Sequence, residues 1–271
     1  MHRFAKMNFD GKTYWITGAS SGIGEGVAYE LAKHRTRLIL SGRNEEALAR
    51  VADRCQTLGA ATRIEAFDLT DYAKMLASVD SVLADGVKID GLMNFGGISQ
   101  RSLAVETPVE IDRKVMEINF FGTIAITKAL LPHLIANGGG LIVVTSSVVG
   151  KYGITFRSAY SASKHALHGF FESLRAETAD KNIQITILEP GRIATNVSLN
   201  AITKTGEKYG IMDKGQASGM SAEESARIIL RAVRRGKKEV LYGGKATLLV
   251  HIRKWLPGLF YFLASRVDST K

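Results

Sequence analysis

The fold of this chain is restricted most by a glycine-rich turn near its amino end. The turn follows the apolar run Thr13–Thr17, has the spacing G-x-x-x-G-x-G, and opens a segment whose apolar residues recur at helical spacing. Glycine permits close approach of the backbone to a ligand, and the free N–H groups of a helix N-terminus attract a pyrophosphate. With a second strand at Arg37–Ser41, the pattern predicts a strand-helix-strand unit that binds a dinucleotide. The candidate contacts are Gly18, Ser20, Ser21, Gly22, Ile23 and Gly24.

The same alternation of strand and helix continues along the chain. Further strands are predicted at Ile64–Phe67, Gly91–Asn94, Leu141–Thr145 and Ile183–Leu188, each preceded by a helical segment. Short parallel strands covered on both faces read as continuous apolar runs. We therefore expect an α/β fold with one Rossmann-type, doubly wound parallel sheet, helices on both faces, and a single domain over residues 1–271. Ligands bind at the carboxyl ends of such strands, where Gly18, Asp68, Asn94, Ser147, Pro190 and Gly191 are expected to gather.

The end of the second strand indicates which dinucleotide is bound. An acid at this position binds the ribose hydroxyls of NAD, whereas an arginine accommodates the 2′-phosphate of NADP. The sequence reads Ser41-Gly42-Arg43-Asn44 and has no acid there. Arg43 therefore predicts NADP(H). The alternative is that Arg43 only begins the next helix, predicted over Glu45–Leu58.

Tyr160 and Lys164 lie four residues apart in a segment with helical periodicity. Residues at this spacing share one helix face, and a nearby cation lowers a tyrosine pKa by roughly one to three units. Tyr160 is thus a candidate for proton exchange with a hydroxyl or ketone. An ordinary exposed pair on an amphipathic helix is the alternative.

Composition excludes several other classes of function. The net charge of +10 is dispersed along the chain, and no nucleic-acid-binding motif accompanies it, so we expect no nucleic-acid partner. The single cysteine, Cys55, excludes an internal disulfide and fits a reducing, cytoplasmic setting. His165 and His168 are the only close histidine pair and lack acidic or thiol company in the sequence, so no metal site is expected.

Together these motifs resemble the short-chain dehydrogenase/reductase family over roughly residues 9 to 243. Thr17 to Gly24 resembles its nucleotide loop, and Tyr160 with Lys164 resembles its Y-x-x-x-K pair. The resemblance implies an oxidoreductase in which Ser147 holds a carbonyl oxygen, Tyr160 is the general acid, Lys164 binds the nicotinamide ribose, and Asn119 positions a water. It also implies cofactor contacts from Asp68, Leu69, Asn94, Gly96, Pro190, Gly191, Ile193 and Thr195. Its usual Asn-Asn-Ala-Gly is replaced by Asn94-Phe95-Gly96-Gly97, which removes one side-chain hydrogen bond.

The resemblance further implies a homodimer or homotetramer that acts on a small-molecule ketone or alcohol. Within the family, the chain looks most like reductases of lipid-like ketones, of the acyl/alkyl-dihydroxyacetone-phosphate reductase and steroid dehydrogenase type. A bulky apolar or phosphorylated ketone is therefore the expected substrate. A small polar alcohol, such as a 3-hydroxy acid, is the alternative. A third alternative is that the protein is not an enzyme and instead senses NADP(H) or binds a membrane surface.

Three peripheral segments complete the prediction. Residues 1–10 are expected to form a short tail, and residues 196–220 a substrate lid, with a disordered loop as the alternative. Ser221 to Glu224 reads as a capping box that opens a helix toward Arg234. Residues 244–271 form an apolar and basic extension that either rests on a lipid surface or packs on a subunit.

Overall fold

Seven parallel strands form one sheet in the computed structural model, which describes residues 7–264. Its order is β3-β2-β1-β4-β5-β6-β7, which confirms the predicted doubly wound sheet. The strands are β1 Thr13–Thr17, β2 Arg37–Gly42, β3 Ala61–Ala66, β4 Gly91–Asn94, β5 Gly140–Thr145, β6 Ile183–Pro190 and β7 Glu239–Tyr242. Strand β7 was not predicted, because four residues beside a basic run give little periodicity. The predicted tail and extension fall partly outside the described residues, at 1–6 and 265–271.

Ten α-helices lie between and after these strands within residues 7–264. They are α1 Gly22–Ala32, α2 Glu45–Thr57, α3 Tyr72–Ala84, α4 Val109–Met116, α5 Gly122–Ala136, α6 Ser158–Glu177, α7 Lys214–Ala217, α8 Ala222–Arg234, α9 Ala246–Trp255 and α10 Pro257–Ala264. The serine half of the predicted capping box is present, since the Ser221 side chain accepts a hydrogen bond from the Glu224 N–H (3.1 Å). This hydrogen bond satisfies one of the free N–H groups at the start of α8 and fixes the residue at which the helix begins.

The sheet is buried on both faces, as the apolar strands require. One core contains side chains of α1, α2 and α8, among them Leu31, Leu48 and Ile229. The other contains side chains of α3, α5 and α6, among them Val79, Leu130 and Phe171. Every residue of β1 is buried, so the carboxyl ends of the strands are held rigidly along one rim.

The long helix predicted between Pro108 and Ala136 has a π-helical turn, Glu117–Phe121, between α4 and α5. Among the described residues, the whole run Val109–Ala136 is the one helix long and apolar enough to cross a membrane. A core helix of a soluble protein meets the same criterion, and α5 here packs beside β4 and β5. Its apolar character therefore fits its place against the sheet.

Candidate active site

The glycine-rich turn brings two loops of the rim into contact. Gly18 has a φ of +68°, and a Cβ atom there would lie 2.6 Å from the backbone nitrogen of Gly96. A side chain at Gly24 would likewise strike the Gly18 carbonyl oxygen. Only glycine allows the turn after β1 to pass this close to the loop after β4. The turn and the loop thus form a cradle made mainly of backbone.

Helix α1, which opens from this turn, has no side-chain cap. Its N-cap residue Ser21 makes no side-chain hydrogen bond to the helix. By contrast, helices α2, α3 and α8 are capped by the side chains of Asn44, Asp71 and Ser221. The first N–H groups of α1 are therefore left for another acceptor, and a phosphate group suits them. This part of the site fits the pyrophosphate of a dinucleotide.

Arg43 lies just after β2 and outside the following helix. Asn44 caps α2 by accepting a hydrogen bond from the Ala47 N–H (2.9 Å), so the helix begins at Glu45. The Arg43 side chain is 65% exposed, and its Nη1 atom lies 3.7 Å from a carboxylate oxygen of Asp68. Asp68 is in turn fixed by hydrogen bonds from the N–H and hydroxyl of Thr70. Arg43 and Asp68 therefore stand together at the end of the rim where the adenosine is expected.

Asn119 lies within the π-helical turn and ties it to the loop after β4. Its side-chain oxygen accepts a hydrogen bond from the Ile98 N–H (2.8 Å), and its Nδ2 donates to the Ile98 carbonyl (2.9 Å). The Nδ2 atom also lies 3.0 Å from the Ser163 hydroxyl on α6. The π turn sets Asn119 between α6 and this loop, as such turns often do at functional sites.

Phe95 stands where the family pattern has a second asparagine, and its ring packs in the core. Its N–H donates to the Thr17 carbonyl (3.1 Å), and its partly buried ring packs on the core beside α1. The preceding Asn94 is buried, with its side chain 3.4 Å from the hydroxyls of Thr17 and Thr127. The backbone of this loop therefore stays hydrogen-bonded to β1 without a second asparagine.

Ser147 and Tyr160 meet beyond the end of β5. Ser147 begins a short 3₁₀ turn, Val148–Gly150, and its hydroxyl accepts from the Val149 N–H (3.3 Å). The Ser147 hydroxyl also favours the Tyr160 phenolate, which lowers the pKa of that tyrosine. Burial of the phenol acts in the opposite direction and dominates, so the pKa of Tyr160 is raised overall.

Lys164 lies one helical turn from Tyr160 on α6, as the spacing predicts. The ammonium donates to the Thr145 carbonyl (2.8 Å) and lies 5.6 Å from the centre of the Tyr160 ring. Burial lowers the pKa of Lys164 to about 8. The cations that favour the phenolate are Arg157, above all, and Arg101. Helical spacing places Lys164 beside Tyr160 but does not fix its hydrogen-bond partner, and the lowering of the Tyr160 pKa by Lys164 stays a prediction.

The segment after β6 closes the rim over the glycine-rich turn. Thr195 lies against Gly22, where an added Cβ atom would be 3.0 Å from the threonine methyl group. Ile193 is buried beside Gly243, and the Gly191 N–H donates to the Tyr242 carbonyl (2.7 Å). Thr195 therefore lies beside the nucleotide loop, while cofactor contacts from Pro190, Gly191 and Ile193 stay a prediction.

Two arginines and an aspartate near Tyr160 were not predicted as site residues. Arg101 donates two hydrogen bonds to one carboxylate oxygen of Asp213 (3.2 and 2.6 Å), and Arg157 donates to the same oxygen (3.1 Å). Arg101 and Asp213 are buried and lie 112 positions apart in the sequence. Arg157 alone had a signal, since it precedes Tyr160 by three residues. A cavity beside this cluster is lined by Ser147, Val148, Tyr152, Arg157 and Leu249, among others.

Potential metal ligands converge at one place among the described residues. His168, Glu172 and Glu239 bring ligand atoms within 4.8 Å of one another. The Lys151 ammonium already lies 3.2 Å from carboxylate oxygens of Glu239 and of the buried Glu189. Burial lowers the pKa of His168 to about 4. We interpret the group as an ion-pair network that joins α6 to β6 and β7.

A doubly wound sheet, an uncapped helix after a glycine turn, and a Ser-Tyr-Lys group at the rim define a class: oxidoreductases that use a nicotinamide dinucleotide. The family model for short chain dehydrogenase matches residues 12–205. The chain belongs to the short-chain dehydrogenase/reductase family, whose members act on CH–OH groups and the corresponding carbonyls.

Relatives and solved structures agree with this assignment. The chain is 44% identical to Dehydrogenase/reductase SDR family member 7B of Mus musculus over 262 residues, which cover 94% of this chain and 81% of that protein. It is 43% identical to the member of that name from Xenopus tropicalis over 264 residues, with 94% and 85% covered.

Two solved structures share the fold at low identity. A short-chain dehydrogenase/reductase from Burkholderia phymatum in complex with NAD has a TM-score of 0.81 and 24% identity, with 93% of this chain and 96% of that chain covered. A short chain dehydrogenase from Burkholderia cenocepacia in complex with NADP has a TM-score of 0.77 and 24% identity, with 97% and 100% covered. Because one holds NAD and the other NADP, these neighbours do not fix the cofactor of this chain.

Proposed function

We propose that this protein is an NADPH-dependent reductase of a bulky, lipid-like ketone that carries an anionic group. The observation that carries the proposal is the pair of cations, Arg101 and Arg157, beside Tyr160 and next to a cavity with apolar walls. These two guanidinium groups share one carboxylate oxygen of Asp213. Arg192 lines the same cavity as Arg157, so basic side chains on this side would attract a phosphate or carboxylate on the substrate.

The residues of the rim fit NADPH. The uncapped start of α1 and the glycine-rich turn would hold the pyrophosphate, and the exposed Arg43 would pair with the 2′-phosphate. Asp68 and Leu69 would contact the adenosine, while Asn94 and Gly96 would line the groove. Pro190, Gly191, Ile193 and Thr195 would contact the nicotinamide carboxamide. When bound, the cofactor supplies the hydride.

The remaining steps belong to the side chains of this chain. Ser147 would donate a hydrogen bond to the ketone oxygen and hold it beside Tyr160, which stabilises the developing alkoxide. Tyr160 would give its proton to that oxygen as a general acid. Lys164 would bind the nicotinamide ribose. Its positive charge would then stabilise the phenolate that Tyr160 becomes after it has donated its proton. Asn119, fixed by Ile98, would position a water that returns a proton to Lys164.

The apolar lining of the cavity supports a bulky substrate. Ile154, Ala246 and Leu249 are the partly exposed apolar residues of its walls. A small 3-hydroxy acid would satisfy the arginines but leave this apolar surface exposed to water, at a cost of about 25 cal/mol per Å². The segment 196–220 carries Asp213 over the arginines, and we infer that it acts as a substrate lid.

The test begins with titration of the protein with NADPH and NADH by fluorescence. Oxidation of NADPH is then followed with matched ketones: a long-chain ketone with and without a phosphate, and a small oxo acid. We expect tighter binding of NADPH and the highest kcat/KM for the long phosphorylated ketone. Preference for the small acid would favour the hydroxy-acid dehydrogenase. Binding of NADPH without turnover of any ketone would favour a non-catalytic sensor.

A symmetric homodimer or homotetramer is a second part of the proposal. Helices α4 to α6 are expected to face their mates, and exposed apolar side chains at Val109 and Phe121 support this. Association would bury them, as closed symmetric interfaces commonly do. Sedimentation velocity is expected to give a dimer or tetramer, and a monomer at working concentration would contradict this part.

A further inference from the structure

Helices α9 and α10 carry apolar side chains that point to solvent. They are Leu248, Trp255, Leu256, Leu259 and Tyr261, which we call the carboxyl-terminal apolar surface. Trp255 is 72% exposed. Single exposed apolar residues are common, but five within fourteen positions along two joined helices mark a site of interaction.

The inner face of the same helices is firmly packed. Phe260 is buried, and its ring lies 5.4 Å from that of Tyr152. The Tyr152 hydroxyl donates to the Ala246 carbonyl (3.2 Å), which fixes the start of α9. Leu249 and Ile252 pack against the same small core. The carboxyl-terminal apolar surface is therefore preformed and held in place by the body of the protein.

Charge on this segment has only one sign. From Val240 to Ala264 the sequence has no aspartate or glutamate, and its charged residues are Lys245, Arg253 and Lys254. The Lys254 ammonium lies 4.9 Å from the Trp255 ring. Aromatic and apolar side chains next to lysine and arginine suit the boundary between lipid headgroups and acyl chains. An unbalanced positive charge adds attraction to anionic headgroups.

We propose that the carboxyl-terminal apolar surface docks this protein on an anionic lipid bilayer. Helices of 10 and 8 residues are too short to span the bilayer, so they would lie in its interface. Ala246 and Leu249 of α9 also line the cavity that contains Ser147 and Arg157. A lipid-like ketone would then reach the cavity from the bilayer, an extension that rests on the proposed function.

The test measures binding of the full chain to vesicles, without turnover, so its failure is distinguishable from failure of the proposed function. Phosphatidylcholine vesicles are compared with vesicles that also contain phosphatidylserine, by co-sedimentation and tryptophan emission. We expect binding to the anionic vesicles with a blue shift from Trp255. Trp15, the other tryptophan, is fully buried and supplies a constant background.

The variant Leu256→Ser/Leu259→Ser is expected to lower vesicle affinity by about tenfold or more, because both leucines would enter the interface. The control Leu76→Ser/Val105→Ser, which changes exposed residues elsewhere, should bind like the wild type. Lys254→Glu should weaken binding to anionic vesicles, whereas Lys74→Glu on α3 should not. Thermal unfolding checks that each variant folds.

Two results would overturn the proposal. One is the absence of wild-type binding to either kind of vesicle, and the other is unchanged affinity in Leu256→Ser/Leu259→Ser. If the wild type does not bind vesicles and this variant has a lower mass by sedimentation velocity, a second copy of this chain covers the surface instead.

Discussion

The two ends of the candidate site are built in different ways. At the cofactor end, the groove is formed by backbone: the Gly18 turn presses on Gly96, and α1 offers uncapped N–H groups. At the substrate end, the structure is held by buried charge, with Arg101 and Arg157 on the single carboxylate of Asp213. A backbone groove depends on the absence of side chains, whereas a charge cluster depends on every member being present.

Substitutions at the two ends are therefore expected to have different effects on stability and binding. At the cofactor end, an added methyl group does harm, and loss of an exposed cation changes selectivity more than stability. At the substrate end, loss of the Asp213 carboxylate removes the acceptor that Arg101 and Arg157 share. Under the proposed function, the cofactor end would bind NADPH and the substrate end would accept one class of ketone.

Asp213→Ala should have the largest effect on stability. It leaves the Arg101 and Arg157 cations buried without their shared acceptor. We expect the free energy of unfolding to fall by about 3–5 kcal/mol, measured by urea denaturation. The control is Glu106→Ala, which removes the exposed partner of Lys204 and should cost no more than about 1 kcal/mol. Equal costs for the two variants would contradict the distinction between the two ends.

Lys164→Met tests the buried lysine that joins the two ends. The folded pKa is lowered from 10.5 to about 8, so within this window the unfolded chain binds a proton that the folded protein has lost. The contribution of Lys164 to stability therefore rises as pH rises from about 8 to 10.5, by about 3 kcal/mol. The difference in unfolding free energy between wild type and variant, followed over this range, should show the rise. A flat difference would mean that the lysine is not desolvated.

Gly18→Ala tests the backbone groove. The new methyl group meets the Gly96 nitrogen and the residue must keep a positive φ, so we expect a loss of about 2 kcal/mol in stability together with weaker NADPH binding. Gly86→Ala is the matched control, because Gly86 has a φ of +70° with nothing within 4 Å of an added Cβ atom. It should show the cost of the backbone angle, about 1 kcal/mol, and unchanged NADPH binding. Equal losses of stability and NADPH affinity in Gly18→Ala and Gly86→Ala would mean that the close approach of Gly18 to Gly96 does not shape the groove.

Arg43→Ala should have the smallest effect on stability and a clear one on selectivity. We expect the preference for NADPH over NADH to fall by about tenfold, since one charge-assisted pair with the 2′-phosphate is lost. Arg50→Ala on α2, where the arginine is equally exposed, should leave the preference unchanged. An unaltered preference in Arg43→Ala would point to NADPH recognition elsewhere.

The sequence predicts the local motifs of the cofactor end but not the long-range contacts of the substrate end. The strand-turn-helix at Thr13 to Gly24 and the Tyr160–Lys164 spacing are local, so periodicity and motif were sufficient to place them. The Arg101–Asp213 pair joins segments 112 positions apart, and no local pattern marks such a contact. The hydrogen bond of Lys164 to Thr145 depends on how α6 packs beside β5, which only the structure supplies.

Tyr160→Phe tests the central claim most directly, because it removes one hydroxyl and keeps the ring. The measurement is the rate of NADPH oxidation with the ketone that the wild type reduces best, beside NADPH affinity by fluorescence. We predict a fall in kcat of roughly 10²–10⁴-fold, with NADPH affinity within about twofold of the wild type. Turnover that persists in Tyr160→Phe with unchanged affinity would contradict the assignment of Tyr160 as the proton donor.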